Sequence, residues 1–279
     1  MRDISVNLAA EKWTWVGLTV RMRATDGAVR GGGDTAADAS RIDVCFRDPL
    51  ERAHQVPWFE AAQDTVFEDC PAVRPFPVRY GRRVAPGWWW SSTSGRLVAY
   101  GAGVMRTQLM LLDRDSAVVA LACRPVELVW RQGGKVVRHA PQLMARLENG
   151  SGLLVDCAGR GGPSARLAER ARVVAGAAEA VGWCYRLAEP PDPVLTANVR
   201  WLAGYRHPRH AAGSWMSALV EAFSSPRSAV EVVRELGDPI AVWPVVFHAL
   251  WAGVLSVRLD EPLHERAVVS VAGREAGAA

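Results

Sequence analysis

The segment His139–Ala158, HAPQLMARLENGSGLLVDCA, decides the fold of this chain. It contains two short apolar runs, Leu143–Leu147 and Leu153–Cys157, which flank Glu148 and the turn Asn149-Gly150-Ser151-Gly152. Because Asn-Gly readily takes the positive-φ conformations of tight turns, the pattern predicts two antiparallel strands joined as a hairpin. Side chains two residues apart share one face of a strand, so we expect Asp156 and Ala158 on the same face.

The elements around this hairpin indicate an α/β domain over residues 41–189. The spacing of Met105, Leu109 and Leu112 predicts a helix over Val98–Asp113, and the Ala- and Arg-rich run Pro163–Val181 predicts a second helix. This order of elements favours a mixed sheet: a helix is followed by several strands, a second helix and a last strand. The other predicted strands are Ile42–Phe46, Val118–Cys123, Val126–Trp130, Lys135–Arg138 and Trp183–Leu187.

The two ends of the chain have sequence patterns that differ from those of residues 41–189. In residues 1–40 a strand-like run, Trp13–Met22, precedes a Gly-, Ala- and Asp-rich stretch expected to be a flexible linker. Residues 190–271 contain helix-like runs and then a short hairpin, Val254–Leu259 with Arg266–Val271, which is typical of a winged-helix module. A plain helical packing domain with a hairpin tail is the alternative. Residues 272–279 are expected to be a disordered tail. The helix-like runs are Val194–Tyr205, Trp215–Phe223, Pro226–Leu236 and Pro239–Trp251.

Composition sets limits on function. A chain of 279 residues with a net charge of +4 is compatible with a nucleic-acid partner. Lys12 and Lys135 are its only lysines, so a catalytic lysine has two possible positions. The five cysteines include no CxxC pair, which favours small buried side chains in a reduced, cytoplasmic protein. The uncharged run Pro239–Val257 is interrupted by Pro244 and predicts a buried helix leading into a strand rather than a membrane span.

Five strings in the chain resemble the TnsA-like endonuclease subunit of heteromeric transposases, of the actinobacterial type. The resemblance extends from about Arg41 to Val269. It implies a PD-(D/E)XK restriction-endonuclease-like domain followed by a helical, winged-helix-like domain. It also implies action on double-stranded DNA in a transposition complex, with a DDE-type transposase subunit and an AAA+ regulator as partners. The strings are FPVRYGRRVAPGWWWSSTSGRLVAY (Phe76–Tyr100), LMLLDRD (Leu109–Asp115), RHAPQLMARLENGSGLLVDC (Arg138–Cys157), PDPVLTANVRWLAGYRHPR (Pro191–Arg209) and GDPIAVWPVVFHALWAGVL (Gly237–Leu255).

The catalytic positions that the resemblance implies are mostly substituted. Its two helix glutamates match Gly101 and Met105, its hairpin aspartate matches Gln142, and its strand lysine matches Ala158. Only Asp156 keeps a carboxylate. Such enzymes use carboxylates to hold Mg²⁺, which activates the attacking water. We therefore expect a pseudonuclease without a metal or other cofactor.

Two alternatives stay open at this point. One is an active, Mg²⁺-dependent endonuclease that cuts the 5′ ends of a transposon with relocated ligands. Asp113, Asp115 and Glu148 are acidic residues near the motif in sequence. The other is a DNA-binding adaptor protein in an unrelated process.

Arginines are the candidate DNA contacts. Arg200, Arg206 and Arg209 accompany Trp201 and Tyr205, which combines phosphate donors with stacking surfaces. The alternative is that Asn198, Trp201 and Tyr205 hold the two domains together. Further candidates are Arg79, Arg82 and Arg83, which alternatively form a solvated loop, and Arg160, which could contact a phosphate.

Overall fold

The chain combines helices with several β-sheets, which confirms the predicted α/β class. The structure is a computed structural model that describes residues 41–76, 86–101 and 103–273. Its strands are β1 (Asp43–Arg47), β2 (Ala53–Pro57), β3 (Gly87–Trp90), β4 (Leu97–Tyr100), β5 (Val118–Cys123), β6 (Val126–Gln132), β7 (Lys135–His139), β8 (Leu143–Leu147), β9 (Gly152–Cys157), β10 (Cys184–Ala188), β11 (Arg227–Ser228), β12 (Leu255–Ser256) and β13 (Val268–Val271). Its helices are α1 (Trp58–Asp64), α2 (Val104–Arg114), α3 (Ala165–Glu179), α4 (Pro193–Leu202), α5 (Gly213–Ala222), α6 (Ala229–Leu236) and α7 (Pro239–Trp251).

The predicted hairpin β8–β9 lies at the centre of a four-stranded mixed sheet. The strand order is β10-β9-β8-β5, with β10 parallel to β9 and the other neighbours antiparallel. Helix α3 makes the crossover between β9 and β10, as a parallel pair requires. Gly150 adopts a φ of 83° in the turn, a conformation that glycine takes without steric cost.

Both faces of this sheet are buried. Leu143, Ala145 and Val155 belong to one apolar cluster, whereas Met144 and Leu154 belong to another. This alternation follows from the two-residue period of a strand. The second cluster also contains Trp58, Phe67 and Trp183 and residues of an antiparallel sheet with strand order β2-β1-β6-β7.

The C-terminal region packs against the first cluster. Val199, Leu202 and Trp251 share that core with Leu109 and Leu112 of α2. The hydrophobic core is therefore continuous across the boundary predicted near residue 190. Within this region β13 is the middle strand of a small antiparallel sheet with the order β11-β13-β12.

The buried carboxylate of Asp113 connects α2 with the turn after β3 and with α7. Asp113, at the end of α2, accepts hydrogen bonds from Trp89 Nε1 (2.8 Å), Ser91 Oγ (2.5 Å) and the backbone N–H groups of Ser92 (3.1 Å) and Thr93 (3.0 Å). Ser92 Oγ in turn accepts from Trp251 Nε1 of α7 at 3.0 Å. Within the run Trp88–Trp90, Trp89 is therefore a core residue with 4 % exposure, whereas Trp88 is 68 % exposed.

The structure corrects several predicted elements. Val98–Asp113 is not one helix, because Leu97–Tyr100 pairs with β3 and α2 begins only at Val104. Gly103, with a φ of 55°, separates the two. The predicted strand Val254–Leu259 shortens to the two residues of β12. Strands β2, β3 and β11 and helix α1 were not predicted.

The predictions for the chain ends lie mostly outside the described residues. This holds for the run Trp13–Met22, the linker before residue 41 and the tail from residue 274. Only Ala272 and Gly273 of the predicted tail are described, as a turn after β13. Among the described helices, none is both long and apolar enough to span a bilayer.

The cysteines form no disulfide, and their burial differs from the prediction. Cys70 and Cys123 are buried, as predicted, and burial raises the pKa of both thiols, to about 11 and about 12. Cys184 is exposed, which contradicts the prediction for that residue, since its position in the edge strand β10 leaves the side chain uncovered.

We predict that Asp113→Ala lowers the free energy of unfolding by about 3 kcal/mol or more, because it leaves several buried donors without an acceptor. Urea unfolding followed by circular dichroism measures the change. The control is Asp115→Ala, which removes one hydrogen bond from a backbone donor, the Ala117 N–H, and should cost about 1 kcal/mol. Equal effects of the two substitutions would contradict the role of Asp113.

Candidate functional site

Asp156, the carboxylate retained at the predicted site, is held by two neighbours. It lies in β9 and is 1 % exposed. Its Oδ2 accepts from the Tyr185 hydroxyl (2.9 Å) and makes a 2.7 Å hydrogen bond with His139 Nε2. Burial first and the charge of Asp156 second raise the pKa of Tyr185, so the phenol stays protonated and donates. Asp156 therefore serves as the centre of a His–Asp–Tyr network that joins β7, β9 and β10.

An arginine stacked on an aromatic ring lies beside this network. Arg124 follows β5, its backbone N–H donates to Gln142 O at 3.2 Å, and its guanidinium carbon is 3.9 Å from the centroid of the Phe76 ring. Burial lowers the pKa of Arg124, and the charges of Cys123 and Asp156 oppose that shift. Asp156 therefore acts electrostatically on Arg124, although the two side chains form no ion pair within the described residues.

Phe76 also fills the space next to Gly101. A Cβ atom added at Gly101 would lie 2.8 Å from Phe76 Cε1, closer than real Cβ contacts. The Gly101 N–H contacts Met105 Sδ at 3.2 Å, and Met105 is a core residue with 3 % exposure. A longer side chain at position 101 therefore needs Phe76 to move.

Ala158 has no side chain that could replace a lysine. It is 2 % exposed, and its N–H donates to Ala188 O at 2.8 Å, which extends the pairing of β9 with β10. Of the positions that the resemblance implies, Gly101 lies against Phe76 and the Gln142 carbonyl accepts from the Arg124 N–H, whereas Met105 and Ala158 are core residues.

The donors near Asp156 do not suit Mg²⁺. This ion needs several oxygen ligands in octahedral geometry. Within the described ranges, no group of three or more His, Cys, Asp or Glu residues could hold a metal ion. The acidic residues weighed as substitutes are engaged elsewhere: Asp113 in its buried network, Asp115 in a turn with Ala117, and Glu148 at the exposed hairpin turn.

The predicted DNA-binding arginines fall into three groups. Arg79, Arg82 and Arg83 lie outside the described residues. Arg160, Arg200 and Arg209 are exposed, the first of them in the turn that follows β9. Arg209 Nε contacts His210 Nε2 at 3.2 Å. These three side chains remain candidates for phosphate contact.

Arg206, in contrast, is engaged within the protein. Its Nε donates to Trp90 O (2.8 Å) and its Nη1 to Ala203 O (2.7 Å), and the guanidinium carbon lies 3.9 Å from the Trp89 ring centroid. Burial is the main reason why the pKa of Arg206 is lowered. These contacts give Arg206 a role in joining the C-terminal region to β3.

Asn198 has a similar packing role. Its Nδ2 donates to Leu259 O (2.9 Å) and Glu261 O (2.6 Å), and its Oδ1 accepts from the Leu263 N–H (3.0 Å). Asn198 therefore fixes the loop between β12 and β13. This contact lies within the C-terminal region, so it does not join the two domains as the packing alternative proposed.

Helix α7 carries no lysine or arginine. On its partly exposed side, Trp243 and Phe247 stack with ring centroids 5.2 Å apart. Trp201 and Tyr205 pack on Phe247 at 5.9 Å and 4.8 Å. Trp201 is nevertheless 57 % exposed.

Sequence reasoning missed Phe76 and Arg124 as members of the site. Both approach it from segments without a periodic pattern, and Arg124 has a φ of 47°, which a sequence does not reveal. Tyr185 was placed correctly in a strand but was not connected to Asp156. No protein-family model matches the sequence, and no curated protein matches it significantly.

We predict that Gly101→Ala destabilises the protein by about 1–3 kcal/mol because its Cβ overpacks the Phe76 ring. Phe76→Ala should remove most of this cost, giving a coupling energy of about 1 kcal/mol or more in a double-mutant cycle measured by urea unfolding. Additive effects of the two substitutions would show that Phe76 does not fill the position.

We also predict different roles for Arg206 and Arg209. Arg206→Ala should lower the free energy of unfolding by about 1.5–3 kcal/mol, since two charge-assisted hydrogen bonds are lost. Arg209→Ala should change stability by less than about 0.5 kcal/mol and reduce the salt dependence of DNA binding. Thermal unfolding and fluorescence anisotropy provide the two measurements. A stable Arg206→Ala protein with weakened DNA binding would reverse the assignment.

Proposed function

We propose that this protein is a catalytically inactive, TnsA-like subunit of a DNA transposition complex. In this proposal a PD-(D/E)XK fold is kept for DNA binding and for assembly with a DDE-type transposase. The observation that carries the proposal is the environment of Asp156. This carboxylate, at the position that the resemblance implies for a metal ligand, is hydrogen-bonded to His139 and Tyr185.

The topology supports the nuclease-type fold. The elements α2, β5, β8, β9, α3 and β10 follow one another, with β6 and β7 inserted after β5. A helix, a three-stranded antiparallel meander, a crossover helix and a parallel fourth strand are what the resemblance implies. The insertion leaves this order intact because β6 and β7 pair in the other sheet.

The chemistry of the site supports binding rather than cleavage. Hydrolysis of a phosphodiester by this class of enzyme needs a metal-activated water and stabilisation of developing negative charge. The side chains at positions 101, 105, 142 and 158 provide no carboxylate and no lysine. Since Asp156 is already hydrogen-bonded to His139 and Tyr185, we propose no cleavage step for this site.

The order of elements in the C-terminal region supports a winged-helix-like module, for which we propose a role in assembly instead of DNA reading. The order α5, β11, α6, α7, β12, β13 and the sheet order β11-β13-β12 are typical of such modules. In DNA readers of this kind a helix lies in the major groove. Because α7 offers no cation, we propose that the module serves mainly in assembly and that exposed arginines elsewhere contact DNA.

The predicted outcome is DNA binding that needs no metal and leads to no cut. The assay combines the full chain, its transposase partner and duplex DNA carrying the transposon ends, with Mg²⁺, Mn²⁺ or a chelator. Anisotropy should give equal affinities with and without metal, and gel analysis should show no 5′-end cleavage by this subunit. Asp156→Asn and Asp156→Ala serve as matched variants.

Two results would contradict the proposal. Metal-dependent cleavage that both Asp156 variants abolish would establish the active-endonuclease alternative. Absence of DNA binding at low salt would remove the DNA-binding function itself. Genes for a DDE-type integrase and an ATPase beside this one would favour transposition over an unrelated adaptor role.

A further inference from the structure

A connected row of aromatic rings lies on the surface formed by α4, the turn after it and α7. The ring centroids of Trp243 and Phe247 are 5.2 Å apart, and the two ring planes differ by 19°. The Tyr205 centroid lies 4.8 Å from that of Phe247 and 6.4 Å from that of Trp201. Trp201 is 57 % exposed, whereas the other three rings are partly buried. The rings therefore support one another and leave part of the Trp201 ring open to a ligand.

An arginine is joined to this row by direct contacts. His210 packs against Tyr205 with the ring centroids 5.4 Å apart, and its Nε2 accepts from Arg209 Nε at 3.2 Å. Burial first and the charge of Arg209 second lower the pKa of His210, so the imidazole stays neutral at pH 7 and can accept this bond. The rings and the guanidinium thus form one continuous surface.

The positive charge of this surface is not balanced by carboxylates. Arg209 is exposed, and so is Arg200, which precedes the exposed tryptophan of α4. Within the part of the chain that the structure describes, neither guanidinium forms an ion pair. Asp260 and Glu261, in the loop that α4 binds, both pair with Arg258 at 2.9 Å. An uncharged apolar partner would therefore cover the rings and leave the cations unmatched.

We propose that Trp201, Tyr205 and Arg209 form a binding surface for single-stranded DNA, with bases stacked on the rings and a phosphate at the guanidinium. Every base has a flat face that stacks on an aromatic ring, and every phosphate carries a negative charge. In a duplex the bases are stacked on one another, so this surface takes unpaired nucleotides. The binding needs no cation on α7, because the charge comes from α4 and the turn after it. That the strand is DNA rests on the proposed function, whereas the stacking surface itself does not.

The test compares Trp201→Ala with the control Trp88→Ala, which removes an equally exposed tryptophan from β3, outside this surface. Fluorescence anisotropy measures binding of the full chain to a labelled single-stranded oligonucleotide and to the duplex of the same sequence. Trp201→Ala should bind the single strand on the order of tenfold more weakly, and Trp201→Phe should retain most of the affinity because it keeps a ring. Trp88→Ala should change neither affinity.

The salt dependence separates the ring from the cation. Arg209→Ala should lower the slope of single-strand binding against salt by about 0.7 unit, because one phosphate contact is lost. Trp201→Ala removes no charge, so its slope should equal that of the unaltered chain although its affinity is lower.

Three outcomes decide the proposal. Single-strand binding that is equal in Trp201→Ala and Trp88→Ala, with duplex binding intact, would overturn the stacking surface alone. Single-strand binding that needs Trp201, without any duplex binding, would support the surface and overturn the duplex-binding part of the proposed function. If Trp201→Ala instead loses only its association with the transposase partner, the rings belong to a protein interface and the proposal is wrong.

Discussion

The buried Asp113 carboxylate is the contact on which the arrangement of the other parts depends. It accepts from the indole of Trp89 and from the turn that follows β3, and it lies at the end of α2. Through Ser92 and Trp251 the same network reaches α7. Because a carboxylate buried without donors would be very costly, the β3–β4 ribbon, α2 and α7 are fixed relative to one another. The position of α2, which sets where Gly101 and Met105 lie, follows from this constraint.

Asp113 and Asp156 illustrate how hydrogen-bond donors of the protein stabilise a buried carboxylate. Asp113 is satisfied by indole, hydroxyl and backbone donors, and Asp156 by His139 and Tyr185. A carboxylate has a limited number of acceptor positions, so each donor within the protein reduces the capacity left for a cation. The ring of Phe76 adds a steric barrier at Gly101. Protein donors therefore hold Asp156, and the Phe76 ring fills the space beside Gly101.

The sequence predicted those parts of the fold that local physics determines. The Asn149-Gly150 turn, strands β5 to β9 and the crossover helix α3 all follow from short-range patterns. Local patterns predicted the wrong element at β4. Its residues continue the apparent helical spacing of the segment after Gly101, but pairing with another strand makes them a strand. Local patterns also failed at Phe76 and Arg206, since a ring beside Gly101 and a guanidinium on Trp89 join segments that are distant in sequence. The retained Asp156 was predicted, but its partners come from β7 and β10.

The distribution of charge gives helix α7 a different proposed role from the elements that carry exposed arginines. Helix α7 has an apolar surface that aromatic side chains of α4 and the following turn partly cover, so it is poorly suited to hold a phosphate backbone. Exposed arginines occur on other elements, among them Arg160 near the end of β9 and Arg200 on α4. Phosphate contacts determine position on a duplex but carry little sequence information. Under the proposed function, these arginines would contact the DNA backbone, and selection of a particular DNA end would come from the proposed partner.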